Sequence, residues 1–360
     1  MTVSDFDEYR PPEPPRWRKR GGKRRRAGMG GDRGEVPMVP EAGFTSYYGR
    51  PVVKPPPWGD PIAVYLFLGG VAGGSALLGV GGQLTGNPIL CRNSRLAALA
   101  AVGMGAAALV EDLGRPERFL NMLRTIKLTS PMSLGSWILT AFSAGVGVSA
   151  VSEIDRMTGS RLPLGPLRRL LRGLEGPAGV EAAVFAAPLS AYTAVLLSDT
   201  ANPTWNAARE DLPFVFVSSA SLAAAGLAMI TTPAKEAAPA RALAVLGVAG
   251  ELIATRRMEK NMDPVAAEPL HLDGPGRMLA WSERLAVAGG VGALFGARHR
   301  LIAALSGVAL LGASALTRFG ILRAGIRSTD DPRYTIEPQK NRLAARRRAG
   351  VIHDSITTAE

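Results

Sequence analysis

The chain is dominated by apolar blocks, each about long enough to cross a lipid bilayer. Eight stand out, at roughly 62–84, 96–113, 131–152, 178–198, 212–231, 239–255, 279–297 and 301–320. A helical span needs about 20 mainly apolar residues. Lipid offers no water to satisfy the backbone, so only helices and closed barrels cross it. The blocks lack the apolar–polar alternation of barrel strands, which predicts helices. The sixth and seventh are the weakest, being short or interrupted by Arg241, Glu283 and Arg284. The run "GGVAGGSALLGVGG" (69–82) suits helices that pack closely in lipid, because Gly and Ala let backbones approach.

Outside the blocks the composition changes. Residues 1–57 are polar, Pro-rich and basic ("PPEPPRWRKRGGKRRR"), and residues 321–360 are polar and contain the basic stretch "RLAARRR". The expected organisation is a tail over 1–57, an eight-span membrane domain over 58–320 and a second tail over 321–360. No cleavable signal peptide is expected ahead of the first block. With eight spans, both termini lie on one side, and that side collects 31 of the 42 Lys and Arg residues. Positive charge stays on the cytoplasmic side, so both termini are expected in the cytoplasm. The basic tails then serve orientation and contact with anionic lipids. No nucleic-acid-binding motif accompanies "RWRKRGGKRRR", and no nucleic-acid partner is expected.

Several chemistries lack their residues. A single cysteine, Cys91, gives no ligand set for an iron–sulfur cluster and no c-type haem attachment. Only three histidines occur, His271, His299 and His353, and none can pair across facing spans to hold a b-type haem. No metal site is expected. No phosphate-binding loop ending in Lys-Ser/Thr and no dinucleotide fingerprint is present.

Charge within or beside the spans is sparse, and each such residue is a functional candidate. A charge at a helix centre costs about 2.5–3.5 kcal/mol even on lenient scales. Glu111 and Asp112 close the second block, and Arg115 follows within one turn in "EDLGRPERFLNML" (111–123). They suit either a salt-bridged helix end with a Gly-Pro stop or a proton-active site at the lip of a span. Glu251, with Arg256 and Arg257 just beyond as partners, raises the same two possibilities, and Glu181, near the outer end of the fourth span, either reaches the interface or serves a function. Unusual polar and aromatic residues also gather at one membrane face. Trp58, Asp60 and Tyr65 open the first span, Tyr192 and Asp199 close the fourth, and His271 and Asp273 lie in the sixth–seventh loop. Tyr65 and Tyr192 lie one to two turns inside the interface, deeper than an aromatic belt requires.

Four segments, "YLFLGGVAGGSALLG" (65–79), "DLGRPERFLNML" (112–123), "SPMSLGSWIL" (130–139) and "YTAVLLSDTANPTWN" (192–206), resemble in order and spacing the NrfD/polysulfide-reductase membrane subunits. The likeness covers about residues 58–320. It implies two four-helix bundles and a quinone, menaquinone or ubiquinone, bound near one face of the bacterial cytoplasmic membrane. It further implies a ferredoxin-like iron–sulfur subunit docked on the cytoplasmic face and serving a molybdopterin-type or other catalytic subunit. By this resemblance Tyr65 is a polar quinone contact where some relatives carry histidine. Tyr192 corresponds to the quinone-contacting tyrosine of a "YTG" motif, here "YTA". Asp112 and Arg115 match the loop that follows the second span, with Asp112 as a proton donor or acceptor held by Arg115. A quinone needs an apolar slot, one or two hydrogen-bond donors and a nearby proton relay. The competing classes are a secondary transporter, which also uses Gly-rich spans and intramembrane carboxylates, and a purely structural anchor.

The charge distribution predicts the topology directly. In intact cells, tags at either terminus stay shielded from external reagents, while a cysteine introduced by Ser160→Cys is labelled from outside. Protection at 160 together with an exposed terminus would reverse the orientation.

Overall fold

The computed structural model describes residues 51–113, 116–296 and 299–350. Most of the basic N-terminal tail (1–50), Gly114 and Arg115, and residues 351–360 with His353 lie outside the described residues. The described residues are helical and include no strands. The long helices are α1 (Asp60–Leu84), α2 (Pro88–Asp112), α3 (Pro131–Met157), α4 (Leu167–Ser198), α6 (Leu212–Thr231), α7 (Ala238–Asn261), α9 (Pro275–Phe295) and α10 (Arg300–Arg327). Short helices α5 (Pro203–Ala207) and α8 (Pro264–Ala267) and a 3-10 turn over Pro116–Arg124 sit in the connections, and α11 (Arg333–Arg348) follows α10. Proline marks the first turn of α1, α2, α3, α6, α7 and α9. There its missing N–H is no loss and its fixed φ suits helix initiation.

Seven of these helices, α1 to α4, α6, α7 and α10, are long and apolar enough to cross a membrane. The seventh expected span forms a helix, α9, but is not among the seven, because Glu283 and Arg284 dilute its apolar character. Two other helices outrun their apolar blocks. α3 continues to Met157 and α4 begins at Leu167, well before the expected 178. Ion pairs carry both helices beyond the apolar residues, since Arg168 and Arg172 of α4 bind Asp155 of α3 at 2.9 and 3.2 Å. The second tail is likewise structured at its start, where α10 runs to Arg327 and α11 extends to Arg348.

α1 is the most buried of the seven apolar helices. It packs against α2, α4, α6 and α10, while α3 lies on α4 and α2. α6 packs on α7 and α10, and α9 on α10 and α7. The glycine run expected to permit close approach does so on two sides of α1. A Cβ on Gly73 would fall 2.6 Å from Ser190 Oγ and 2.9 Å from the Ala186 carbonyl of α4. A Cβ on Gly74 would fall 2.5 Å from Ala224 Cβ and 2.8 Å from the Ala220 carbonyl of α6. Helices without side chains at the contact gain backbone-to-backbone dispersion, which drives association where lipid removes the hydrophobic effect.

Candidate functional site

One cavity opens where α1 begins and α2 and α4 end. Its walls come from the first turns of α1, the last turn of α2, the Pro116–Arg124 turn, the first half of α3 and the C-terminal part of α4. Its volume is about 130 Å³. That is close to the ~150 Å³ of an engineered apolar cavity that accepts benzene, so one six-membered ring fits. The lining is mostly Leu, Ile, Met and aromatic side chains, and Tyr65, Asp112 and Tyr192 all border it.

Tyr65 is 5% exposed, and its hydroxyl has no hydrogen-bond partner among the described residues. A buried polar group without a partner costs roughly 1–3 kcal/mol, so this phenol is set to donate to whatever acceptor enters. Tyr192 reaches the cavity from α4 because Gly135 on α3 leaves room for its ring. A Cβ at that position would run into the Tyr192 ring. The glycine of "SPMSLGSW" and the tyrosine of "YTAVLLSD" are therefore one structural feature in two sequence segments. Asp112 ends α2 and is half-buried at the border of the cavity. Arg115, its expected partner, lies outside the described residues.

Other candidates from the sequence are placed elsewhere. Glu111 and Asp199 are exposed, and Asp199 is the C-cap of α4 rather than a wall of the cavity. Asp60 forms an ion pair at 2.9 Å with Arg323 of α10. Trp58, which also borders the cavity, stacks at 5.7 Å on the fully buried Trp205, whose indole N–H donates to the Ile321 carbonyl at 2.8 Å. His271 and Glu251 border a different cavity of mixed polar and apolar lining. Glu251 is not paired with Arg256 or Arg257. Those reach Glu283 at 3.5 Å and Asp211 at 3.0 Å, and Thr317 binds Glu251 instead. Glu181 packs in the notch left by Gly145.

A second charged cluster escaped the sequence reading. At the far end of α1–α4 the buried Arg95 binds Glu175 and Glu153 and donates a third hydrogen bond to the Gln83 amide oxygen at 2.9 Å, and Arg156 bridges the same two carboxylates. The partners lie up to 80 residues apart in sequence, so no local pattern announces them. Among the described residues no cluster of three or more His, Cys, Asp or Glu could hold a metal ion.

Apolar helices of spanning length around a ring-sized pocket bordered by two phenols and a carboxylate define an integral membrane protein with a small apolar cavity at one helix end. The family model for the polysulphide reductase NrfD matches residues 52–254, more than half the chain, and the protein belongs to that family. It is also 29% identical over 150 residues to the C subunit of polysulfide reductase from Wolinella succinogenes. That stretch takes in 39% of this protein and 47% of the relative, so the match spans about half the length of the relative.

The dependence of Tyr192 on Gly135 gives a clear expectation. Gly135→Ala must displace the Tyr192 ring, whereas Gly147→Ala on the same helix, with open space around its Cβ, should be silent. Overpacking of this kind costs about 1–3 kcal/mol. Thermal unfolding of the two detergent-purified variants measures it, and equal midpoints would show that the two segments are not interlocked.

Proposed function

We propose that this protein is the quinone-reactive membrane subunit and anchor of a multi-subunit respiratory oxidoreductase. In this reading the eight long helices all cross the membrane as two four-helix bundles, α1–α4 and α6, α7, α9, α10, with both termini cytoplasmic. The helix contacts support that grouping. The observation that carries the function is the orphan Tyr65 hydroxyl inside a ring-sized apolar cavity that Asp112 and Tyr192 also border. A bound quinone would supply two-electron redox chemistry coupled to proton uptake or release.

The protein's own residues supply what that chemistry requires. The apolar wall excludes bulk water and holds a flat ring. Tyr65 and Tyr192 donate hydrogen bonds to carbonyl oxygens, because a phenol is both donor and acceptor. Asp112, half-buried at the mouth, exchanges protons between the cavity and the aqueous face as a general acid and base. Arg115, the partner that the family likeness implies for this carboxylate, lies outside the described residues. Electrons arrive from or leave to a ferredoxin-like iron–sulfur subunit on the cytoplasmic face, which serves a molybdopterin-type or other catalytic subunit. The relative is named as one subunit of a polysulfide reductase, which supports membership of such a complex. The basic tails meet anionic lipids of the cytoplasmic leaflet.

Two variants test the assignment in the assembled complex. One hydrogen bond to a neutral acceptor is worth about 0.5–1.5 kcal/mol, so Tyr192→Phe weakens binding of a quinone analogue several-fold without unfolding the protein. Asp112→Asn slows quinol turnover while complex assembly stays normal. Unchanged binding in the first variant, or lost assembly with normal turnover per complex in the second, would remove these residues from the site.

A further inference from the structure

A second cavity, lined by both polar and apolar side chains, lies in the other helix set, between α7, α9 and the α10 segment around Thr317, with a volume of about 280 Å³. Its rim carries the exposed Arg256, His271 and Glu283 and the half-buried Glu259. Its inner wall carries Ser282, Glu251 and Thr317, all buried. Rim and wall together form a funnel from solvent to a carboxylate in the middle of α7.

The hydroxyls on that wall form a relay. Ser282 Oγ and Thr317 Oγ1 lie 2.6 Å apart, and Thr317 Oγ1 donates to Glu251 Oε1 at 2.6 Å. The second oxygen of Glu251, Oε2, is buried without a partner among the described residues, and the residue is 5% exposed. A deep carboxylate with one oxygen hydrogen-bonded and one bare, at the inner end of a cavity, departs from the rule that buried polar groups are satisfied. An ionisable residue at such depth marks a function by default.

The surrounding charges are few. Arg318, the next residue after Thr317, is fully buried and acts on Glu251 through its charge. One nitrogen of its guanidinium donates to the Phe216 carbonyl at 2.6 Å, while Nε and Nη1 have no partner among the described residues, and the group lies 3.7 Å over the Phe216 ring. Along the cavity toward solvent stand Glu283 paired with Arg256, and His271 beside Glu259 at 4.0 Å.

We infer that Glu251 is a proton-binding site, reached from solvent through this cavity and distinct from the cavity at Asp112. A proton drawn from cavity water binds the carboxylate, forming an O–H bond and leaving hydroxide to be neutralised by bulk buffer; the reverse step returns it. The Ser282–Thr317 relay offers the same exchange through Oε1. Arg318 balances the carboxylate charge when the proton is absent. The assignment does not depend on quinone binding at the other cavity.

Carbodiimides test it, because they react with protonated carboxyl groups and not with carboxylates. In the full-length purified protein, tryptic cleavage after Arg241 and Arg256 yields a peptide over 242–256 whose one acidic residue is Glu251. Both hydrophobic dicyclohexylcarbodiimide and a water-soluble carbodiimide with glycine ethyl ester should modify this peptide at mildly acidic pH. The adduct should vanish as pH rises, and Glu251→Gln should lose it with an unchanged elution profile. Thr317→Val, which removes the donor to Glu251, should carry labelling to higher pH while keeping the carboxyl group in place. Absence of the adduct from wild type and Thr317→Val at every pH, or an adduct insensitive to pH, overturns the proton site. Labelling by the hydrophobic reagent alone overturns the solvent path.

Discussion

The close approach of α1 to both α4 and α6 is the contact on which the remaining arrangement depends. Two adjacent glycines face opposite neighbours, Gly73 toward Ala186 and Ser190, and Gly74 toward Ala220 and Ala224. Any side chain at either position would push a helix away. Because α1 is gripped on both sides, its first turns with Tyr65, and Trp58 just ahead of them, are fixed against the ends of α2 and α4. The cavity at that end follows from rigid neighbours, and the orphan phenol is held beside it. A site on helix ends held this way is pre-organised without a flexible loop.

The opposite end of the same helices is held by charge. Arg95, Glu153, Glu175 and Arg156 form a network, with Arg95 and Glu153 buried. Burying ions is expensive, and such a network offsets that cost only when its hydrogen bonds are largely made. Here Gln83 and Ser152 supply additional partners. In the other helix set the balance differs. Arg318 and Glu251 share one region of the interior without a direct ion pair, and both keep unpartnered atoms. The first arrangement fastens helices, whereas the second leaves polar capacity free beside a cavity.

Much of the fold is legible in the sequence because the length of an apolar block is a property of the block itself. α1, α2, α6 and α10 begin or end close to their apolar limits. Legibility fails where a distant residue decides. α3 and α4 run on past their apolar residues because Asp155, Arg168 and Arg172 satisfy one another, and a single segment cannot reveal that. Glu251 reads as the neighbour of Arg256 and Arg257 one turn away, yet Thr317, 66 residues distant, holds it. At the candidate site, topology and family likeness together bring Tyr65, Asp112 and Tyr192 to one membrane face. The seat for Tyr192 stays hidden, because Gly135 in an apolar span looks like any other packing glycine.

A quinone ring in the cavity walled by Tyr65, Asp112 and Tyr192 is the central claim. The most direct measurement is photolabelling of the membrane-embedded protein with an azido-quinone, followed by mapping of adducts by mass spectrometry. Adducts are expected within residues 58–66 and 192–197, and they should disappear when unmodified quinone is added in excess. Adducts confined to the apolar groove lined by Leu96, Met104, Val308 and Ala315, or adducts that excess quinone does not displace, would contradict it.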